Sequence, residues 1–260
     1  PILQAMNPNL CIKNDASYHD MYYMNPPAKD LSKIASSDKV KKVQKDFEAT
    51  HVRPQRLMKT LFTDEAYVKA NVDEARLMRR LFDLACNMQS HDTDMQLYSL
   101  FTDEECYDLW SCNNLYWYLT HACSPVTDGL MPYREADLLR NILDRADAAL
   151  KEGKNQATLR FGHESCLLPL VALLELNHYG ESYPDVEKLS EQWRAYDIFP
   201  MASNVQFVFF HKKGSNDVLV KVLLNEKEAK LPVKTDVAPY YHWKDVESYY
   251  REKLDKYQHI

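Results

Sequence analysis

From Leu31 to Leu150 apolar residues recur every three to four positions, and after Gly153 that period gives way to short β-branched and aromatic runs. Nothing else narrows the fold as much, because a helical period does not settle as a strand and an alternating one does not settle as a helix. Val40, Val43 and Phe47, then Leu57 and Leu61, carry the three-to-four spacing, with Arg53-Pro54 breaking the run between them because proline has no N–H to donate. Thr63-Asp64-Glu65-Ala66 and Asn71-Val72-Asp73-Glu74 are helix starts with acids in the first turn. Leu77, Leu81, Leu84, Ala85 and Met88 then form an apolar stripe. Thr102-Asp103-Glu104-Glu105 has the spacing of a capping box, opening a helix through Leu109, Trp110 and Leu119. Tyr133 to Leu150 reads as one further amphipathic helix, stopped by Gly153.

Beyond Gly153, Ala157 to Phe161 reads as a strand and Ser165 to Leu176 as a helix entered directly from it. Gln206 to His211 and Asp217 to Leu224 form a hairpin around Lys212-Lys213-Gly214-Ser215-Asn216, Glu228 to Leu231 a third short strand, and Trp243 to Tyr257 a closing helix. Ahead of the helical block, Gln4 to Met6 is a helix end, Leu10 to Lys13 a short strand, Asn14 to Ser17 a turn, and Asp20 to Asn25 a loop closed by Pro26-Pro27. The expected fold is therefore α/β. Residues 1–29 and 153–260 would form the α/β domain, with 30–152 as an all-α insert.

A formal net charge of −6 supplies no basic face for nucleic acid. The longest apolar run, Leu167 to Leu176, is too short to span a bilayer, so no membrane is expected as a partner. None of the cysteines at 11, 86, 106, 112, 123 and 166 forms a CxxC pair. Free thiols are expected rather than a structural zinc site, and no motif asks for a metal or a cofactor. The Pro-Ile-Leu-Gln start, with no initiator Met and no signal-peptide pattern, sets the expectation of a trimmed chain.

The chemistry concentrates in Leu159-Arg160-Phe161-Gly162-His163-Glu164-Ser165-Cys166-Leu167-Leu168-Pro169-Leu170. A strand runs out, a glycine permits a tight turn, and a His-Glu pair stands where a helix begins. Backbone N–H groups at a helix start attract anions, a histidine can bond a phosphate oxygen, and a carboxylic acid can protonate a departing alkoxide. A G-x-S-x-G elbow would need Ser at 164 and Gly at 166, which are Glu and Cys. A zinc H-E-x-x-H would need His at 167, which is Leu. Spacing alone equally accommodates a His163 that caps the strand and a Glu164 that merely begins the helix. Alternation leaves open whether Arg160 reaches a phosphate, is buried or faces solvent. His19 and Asp20 lie in a loop that either borders the site or is plain surface. Lys39, Lys41, Lys42 and Lys45 read as a solvated helix face, Trp110, Tyr116, Trp117 and Tyr118 as core, and Lys212 and Lys213 as hairpin-tip residues.

Phe161-Gly162-His163-Glu164 followed by an apolar helix resembles the second motif of the histidine acid phosphatases, the branch with phytases and multiple inositol polyphosphate phosphatases. Asp15 to Met24, Pro200-Met201-Ala202-Ser203-Asn204 with the strand after it, and Val218 to Asn225 ending at Leu231-Pro232 are similar to that family's segments in the same order. The resemblance implies a phosphoglycerate-mutase-like open sheet with helices and a phosphohistidine mechanism on a phosphomonoester, with inositol phosphate one candidate. His163 would contact phosphate and Glu164 would donate the proton, with Arg160 as a further substrate-binding group. The family motif is written His-Asp, or His-Ala-Glu in the inositol polyphosphate enzymes, whereas here Glu follows His directly, which places inositol polyphosphate specificity in question.

The resemblance also marks a departure. The family's nucleophile sits in an Arg-His-Gly motif, and none of the nine histidines here follows an arginine. The expectation is an incomplete sheet and a chain that hydrolyses phosphate esters poorly by itself, paired with a missing N-terminal segment or with another copy of itself. The second reading is a non-catalytic phosphate-ligand-binding or interaction protein on a degenerate phosphatase fold. A periplasmic or secreted location is implied by the family alone.

Overall fold

The computed structural model describes residues Ala5, Pro8, Asn9, 29–153 and 156–257. The expected strand at Leu10 to Lys13, the turn and loop from Asn14 to Asn25, and His19 and Asp20 lie outside the described residues. The helical block runs through α1 (Lys29–Ala35), α2 (Asp38–His51), α3 (Gln55–Leu61), α4 (Glu65–Asn71), α5 (Glu74–Asn87), α6 (Asp103–His121) and α7 (Ala136–Glu152).

Its boundaries follow local chemistry. Asp64 and Asp73 accept the N–H groups of Tyr67 and Arg76 at the starts of α4 and α5. Thr102 and Glu105 close the capping box of α6 reciprocally. Gly153 ends α7 in a left-handed conformation at φ +64°, a geometry glycine adopts at no steric cost. Glu105 has a second task, since its carboxylate receives Arg56 Nε at 2.7 Å and Nη2 at 2.5 Å, docking α3 on the start of α6. The face of α5 follows the expected stripe at Leu77, Leu81 and Ala85, which pack with the buried Met78 against residues of α3, α4 and α6, whereas Leu84 stands 53% exposed.

After Gly153 the chain runs to α8 (Glu164–Leu173), the short α9 (Leu189–Gln192) and α10 (Ala195–Ile198), and the strands β1 (Val205–His211), β2 (Val218–Leu224), β3 (Lys227–Glu228) and β4 (Tyr241–His242). It closes with α11 (Trp243–Tyr257). The class is α/β, mostly helical, with a small antiparallel sheet. β1 and β2 form the expected hairpin, Val205 opposite Leu224 through His211 opposite Val218, and β3 and β4 pair with opposite ends of β2. Four sequence expectations are corrected. The helix expected from Tyr133 becomes α-helical only at Ala136, after a 3-10 turn over Met131–Glu135, and the third strand expected over Glu228 to Leu231 is the two-residue β3, Lys227–Glu228. Residues 157–161 are not a strand, because none of the described residues offers them a ladder. The helix expected to Leu176 stops at Leu173, after which Glu175 and Asn177 take left-handed conformations and turn the chain.

One core joins both sides of Gly153. Leu115, Tyr118 and Leu119 of α6 share it with Leu168 and Val171 of α8, with Trp193, with Val220 and Val222 of β2, and with Tyr250 of α11. Each such apolar side chain contributes roughly 1.5–3 kcal/mol by leaving water. A smaller core, including Leu57, Val68, Met78 and Leu109, holds α3 to α6. α11 is pinned by Trp243 Nε1 on Asp147 at 2.8 Å and by Tyr250 OH on the Leu174 carbonyl at 2.7 Å.

The turn after α8 leaves no room for a side chain at Gly180. An added Cβ there would sit 2.5 Å from Glu175 Cγ and 2.9 Å from its Cα. Glu175 cannot step aside cheaply, because Tyr249 OH and Lys253 Nζ hold its carboxylate at 2.5 and 3.0 Å. Gly180→Ala is expected to cost about 1–3 kcal/mol, read as a lower urea midpoint at unchanged m value; an unchanged midpoint would show that this turn relaxes freely.

Candidate functional site

α8 is apolar on all sides, with Cys166, Leu168, Pro169, Leu170, Val171, Ala172 and Leu173 buried. Immersion of its body keeps it helical despite Pro169, whose ring cannot donate to the Ser165 carbonyl. The same immersion leaves the first turn at the surface. His163 is the N-cap residue, extended at φ −116° and ψ 163°, and its carbonyl accepts the N–H groups of Cys166 and Leu167 at 3.0 and 3.1 Å. The amides of Glu164 and Ser165 precede the first intrahelical bond and carry the positive end of the helix dipole.

His163 and Glu164 are adjacent, exposed, and without a side-chain hydrogen bond among the described residues. Arg160 is half-buried and directed towards α7, where its Nη2 donates to Asn141 Oδ1 at 2.6 Å. Leu159 and Phe161, on either side of Arg160, are 61% and 81% exposed. His163 and Glu164 thus share one exposed turn, and Arg160 approaches it from the α7 side with part of its guanidinium already engaged. The lysines at 39, 41, 42 and 45 are solvated, Lys41 and Lys42 pairing with Asp38 and Asp46 on their own helix. Of the aromatic group, Tyr118 is fully buried and Tyr116 is 45% exposed.

Sequence reasoning did not find the polar cluster beneath this turn. The 3-10 turn Met131–Glu135 packs against α8 and buries Glu135, which is 3% exposed, with Oε2 unpaired among the described residues. Burial pushes its carboxyl up to about 8 against the pull of Arg134. The buried Cys166 thiol is raised too, first by desolvation and then by the Glu135 charge. His121, at the end of α6, is held down to about 4 by burial and by Arg134. Arg134 Nη1 lies 3.4 Å from His121 Nε2, and a guanidinium only donates, so Nε2 is the acceptor and Nδ1 carries the proton towards Thr120 Oγ1 at 2.7 Å. Thr120 passes its own proton to the Tyr116 carbonyl at 2.6 Å. Nothing in the local spacing reveals this. Read as the first turn of a helix, Arg134 and Glu135 belong on the surface, and only the packing of α8 buries the acid.

A second unforeseen group lies on the sheet. His242 of β4 stands between Asp217, at 3.0 Å from Nδ1, and Asp236, at 2.9 Å from Nε2, and the two carboxylates raise its proton affinity. Among the described residues no cluster of three histidine, cysteine or acidic side chains could hold a metal ion, and no helix is long and apolar enough to cross a membrane. Cys86, Cys106, Cys112 and Cys123 are free thiols.

Comparison with known proteins places this geometry in context. The family model described as the histidine phosphatase superfamily, branch 2, matches residues 9–225 and includes the His163-Glu164 turn. Multiple inositol polyphosphate phosphatase 1 of Homo sapiens is 28% identical over 134 residues, covering 46% of this chain and 27% of that protein. The phosphate complex of the Bifidobacterium longum multiple inositol polyphosphate phosphatase superposes with a TM-score of 0.60 at 20% identity, over 95% of this chain and 61% of that one. The inositol hexasulfate complex of the same enzyme gives 0.55 at 19% identity, over 93% and 59%. The likeness to these structures is one of fold. The chain spans about a quarter of the length of the human relative and about three-fifths of the solved structures.

Proposed function

Because the chain belongs to branch 2 of the histidine phosphatase superfamily, we propose that it carries the phosphate-contacting and proton-donating half of a phosphomonoester hydrolase site. The observation that carries this reading is the placing of His163 and Glu164 together on the exposed first turn of α8, with side chains uncommitted among the described residues. A phosphoryl group there meets the amides of Glu164 and Ser165 and the His163 ring. Glu164 is the acid that protonates the departing alkoxide, and Arg160 adds positive charge from the α7 side. The phosphoryl acceptor is a histidine outside this chain, since no histidine here follows an arginine. The substrate class is a phosphate ester of a polyol, as in the relatives' names; the missing residue between His163 and the acid shifts the carboxylate relative to a His-Ala-Glu turn and alters which ester oxygen it reaches. Water then hydrolyses the phosphohistidine and regenerates the acceptor.

The same missing motif favours the second reading, a phosphate-ligand-binding protein without turnover. Both readings require an anion at α8. Titration of inorganic phosphate, followed by amide shifts, is expected to move the Glu164 and Ser165 signals, with the effect lost in His163→Ala. Shifts confined to other surfaces would end both readings. In the same preparation a generic phosphomonoester is expected to show no turnover, and sustained turnover would overturn the placing of the nucleophile outside this chain.

A further inference from the structure

We propose that one water molecule is bound in a chamber between α2, α6 and the segment 186–190, accepting from Ser111 and bridging His51 to Glu187. Ser111 lies in the middle of α6, is 7% exposed, and its Oγ has no protein hydrogen-bond partner among the described residues. A helical serine ordinarily satisfies its hydroxyl on the carbonyl four residues back. Thr120 does so on the same helix, with Tyr116, but Ser111 does not do so with Tyr107. A buried hydroxyl left alone costs roughly 1–3 kcal/mol, so the position calls for a partner.

Ser111 lines a cavity of about 20 Å³, with His51, Asn114, Glu187 and Ser190 among its other walls. One water needs roughly 10–15 Å³ on this measure and two to four polar partners, so the space admits one and little else. A second observation points to the same molecule. His51 Nε2 and Glu187 Oε2 face each other at 3.6 Å, an ion-pair spacing too long for a direct hydrogen bond.

The donors and acceptors balance. His51 Nδ1 lies 2.9 Å from the Phe47 carbonyl, which only accepts, so Nδ1 carries a proton, and in the tautomer with that single ring proton Nε2 is an acceptor. The water therefore accepts the Ser111 hydroxyl and gives its two protons to His51 Nε2 and the Glu187 carboxylate. Asn114 is not needed as a ligand, since its amide already bonds the Trp193 carbonyl at 3.1 Å and the Ala195 N–H at 2.8 Å. Tyr107 OH and Ser190 Oγ, 2.6 Å apart, close the chamber from the side of α9. The bound water thus fastens the 186–190 segment to two helices of the block before Gly153.

A crystal structure that resolves ordered solvent is expected to show a single water within hydrogen-bond distance of Ser111 Oγ. Magnetic relaxation dispersion in solution is expected to count one long-lived water fewer in Ser111→Val than in the parent chain. An empty chamber in the parent, a Ser111 hydroxyl turned onto the Tyr107 carbonyl, or an unchanged count in the variant would overturn the proposal. If Ser111→Val does not fold, the parent's solvent density decides it.

Discussion

Glu135→Gln is expected to match the parent near pH 5 and to exceed its stability at pH 8 by about 4 kcal/mol, roughly 10 °C in melting temperature. The unfolded carboxyl ionises near 4.5, whereas the folded one, 3% exposed and lacking a partner for Oε2, keeps its proton to about 8. Between those values the folded state holds a proton that the unfolded state has released, so the parent loses stability as pH rises through this window. Glutamine preserves the shape, carries no charge, and removes the slope. His121 acts in the opposite sense. Its folded pKa of about 4 lies below the usual 6.5, so the unfolded state binds the extra proton and stability falls as pH drops from 6.5 towards 4. Between 4.5 and 6.5 the two slopes oppose and nearly cancel, so the parent should show a broad plateau centred at about pH 5.5 and lose stability on either side of it. Thermal unfolding from pH 4 to 9 reads both limbs. Parallel curves for parent and variant from pH 5 to 8 would mean that Glu135 is ionised in the folded protein and reached by solvent.

In a preparation that supplies the proposed phosphoryl-accepting histidine, Glu164→Gln is expected to lower kcat on an alkyl phosphate by about 10²–10⁴ while barely affecting a nitrophenyl phosphate. An alkoxide leaves poorly unless protonated as its bond to phosphorus breaks. A nitrophenolate is stable as the anion and needs no proton. Glutamine keeps the side-chain volume and its exposed place on the first turn of α8 but cannot donate that proton. The split between leaving groups separates general acid catalysis from mere phosphate binding. Equal losses on both substrates would reassign Glu164 to holding or orienting the ester, and no loss on either would remove it from the site.

The gap between residue pattern and final structure is instructive at particular positions. The caps at Asp64, Asp73 and Thr102, the stop at Gly153, the β1–β2 hairpin and α11 were all legible, since each depends on groups within a few residues of one another. His163 and Glu164 were legible as a pair because the sequence places them side by side at a helix start, and α8 begins there. The face of α5 was legible in Leu77, Leu81 and Ala85, but the burial of Met78 and the exposure of Leu84 depend on which neighbouring helices pack there. Ala157 to Phe161 has the composition of a strand, yet a strand exists only by pairing, and no described segment lies alongside.

By itself, then, the sequence determined where helices start and stop, which strands turn back on themselves, and that a His-Glu turn stands at a helix start, because short-range hydrogen bonds and backbone sterics decide these. Tertiary structure alone decided that Glu135 would be buried under that turn, that Arg160 would lean on Asn141, and that His242 would sit between two aspartates from separate segments. Desolvation and charge pairing depend on which distant surfaces meet, and residue spacing carries no record of that meeting.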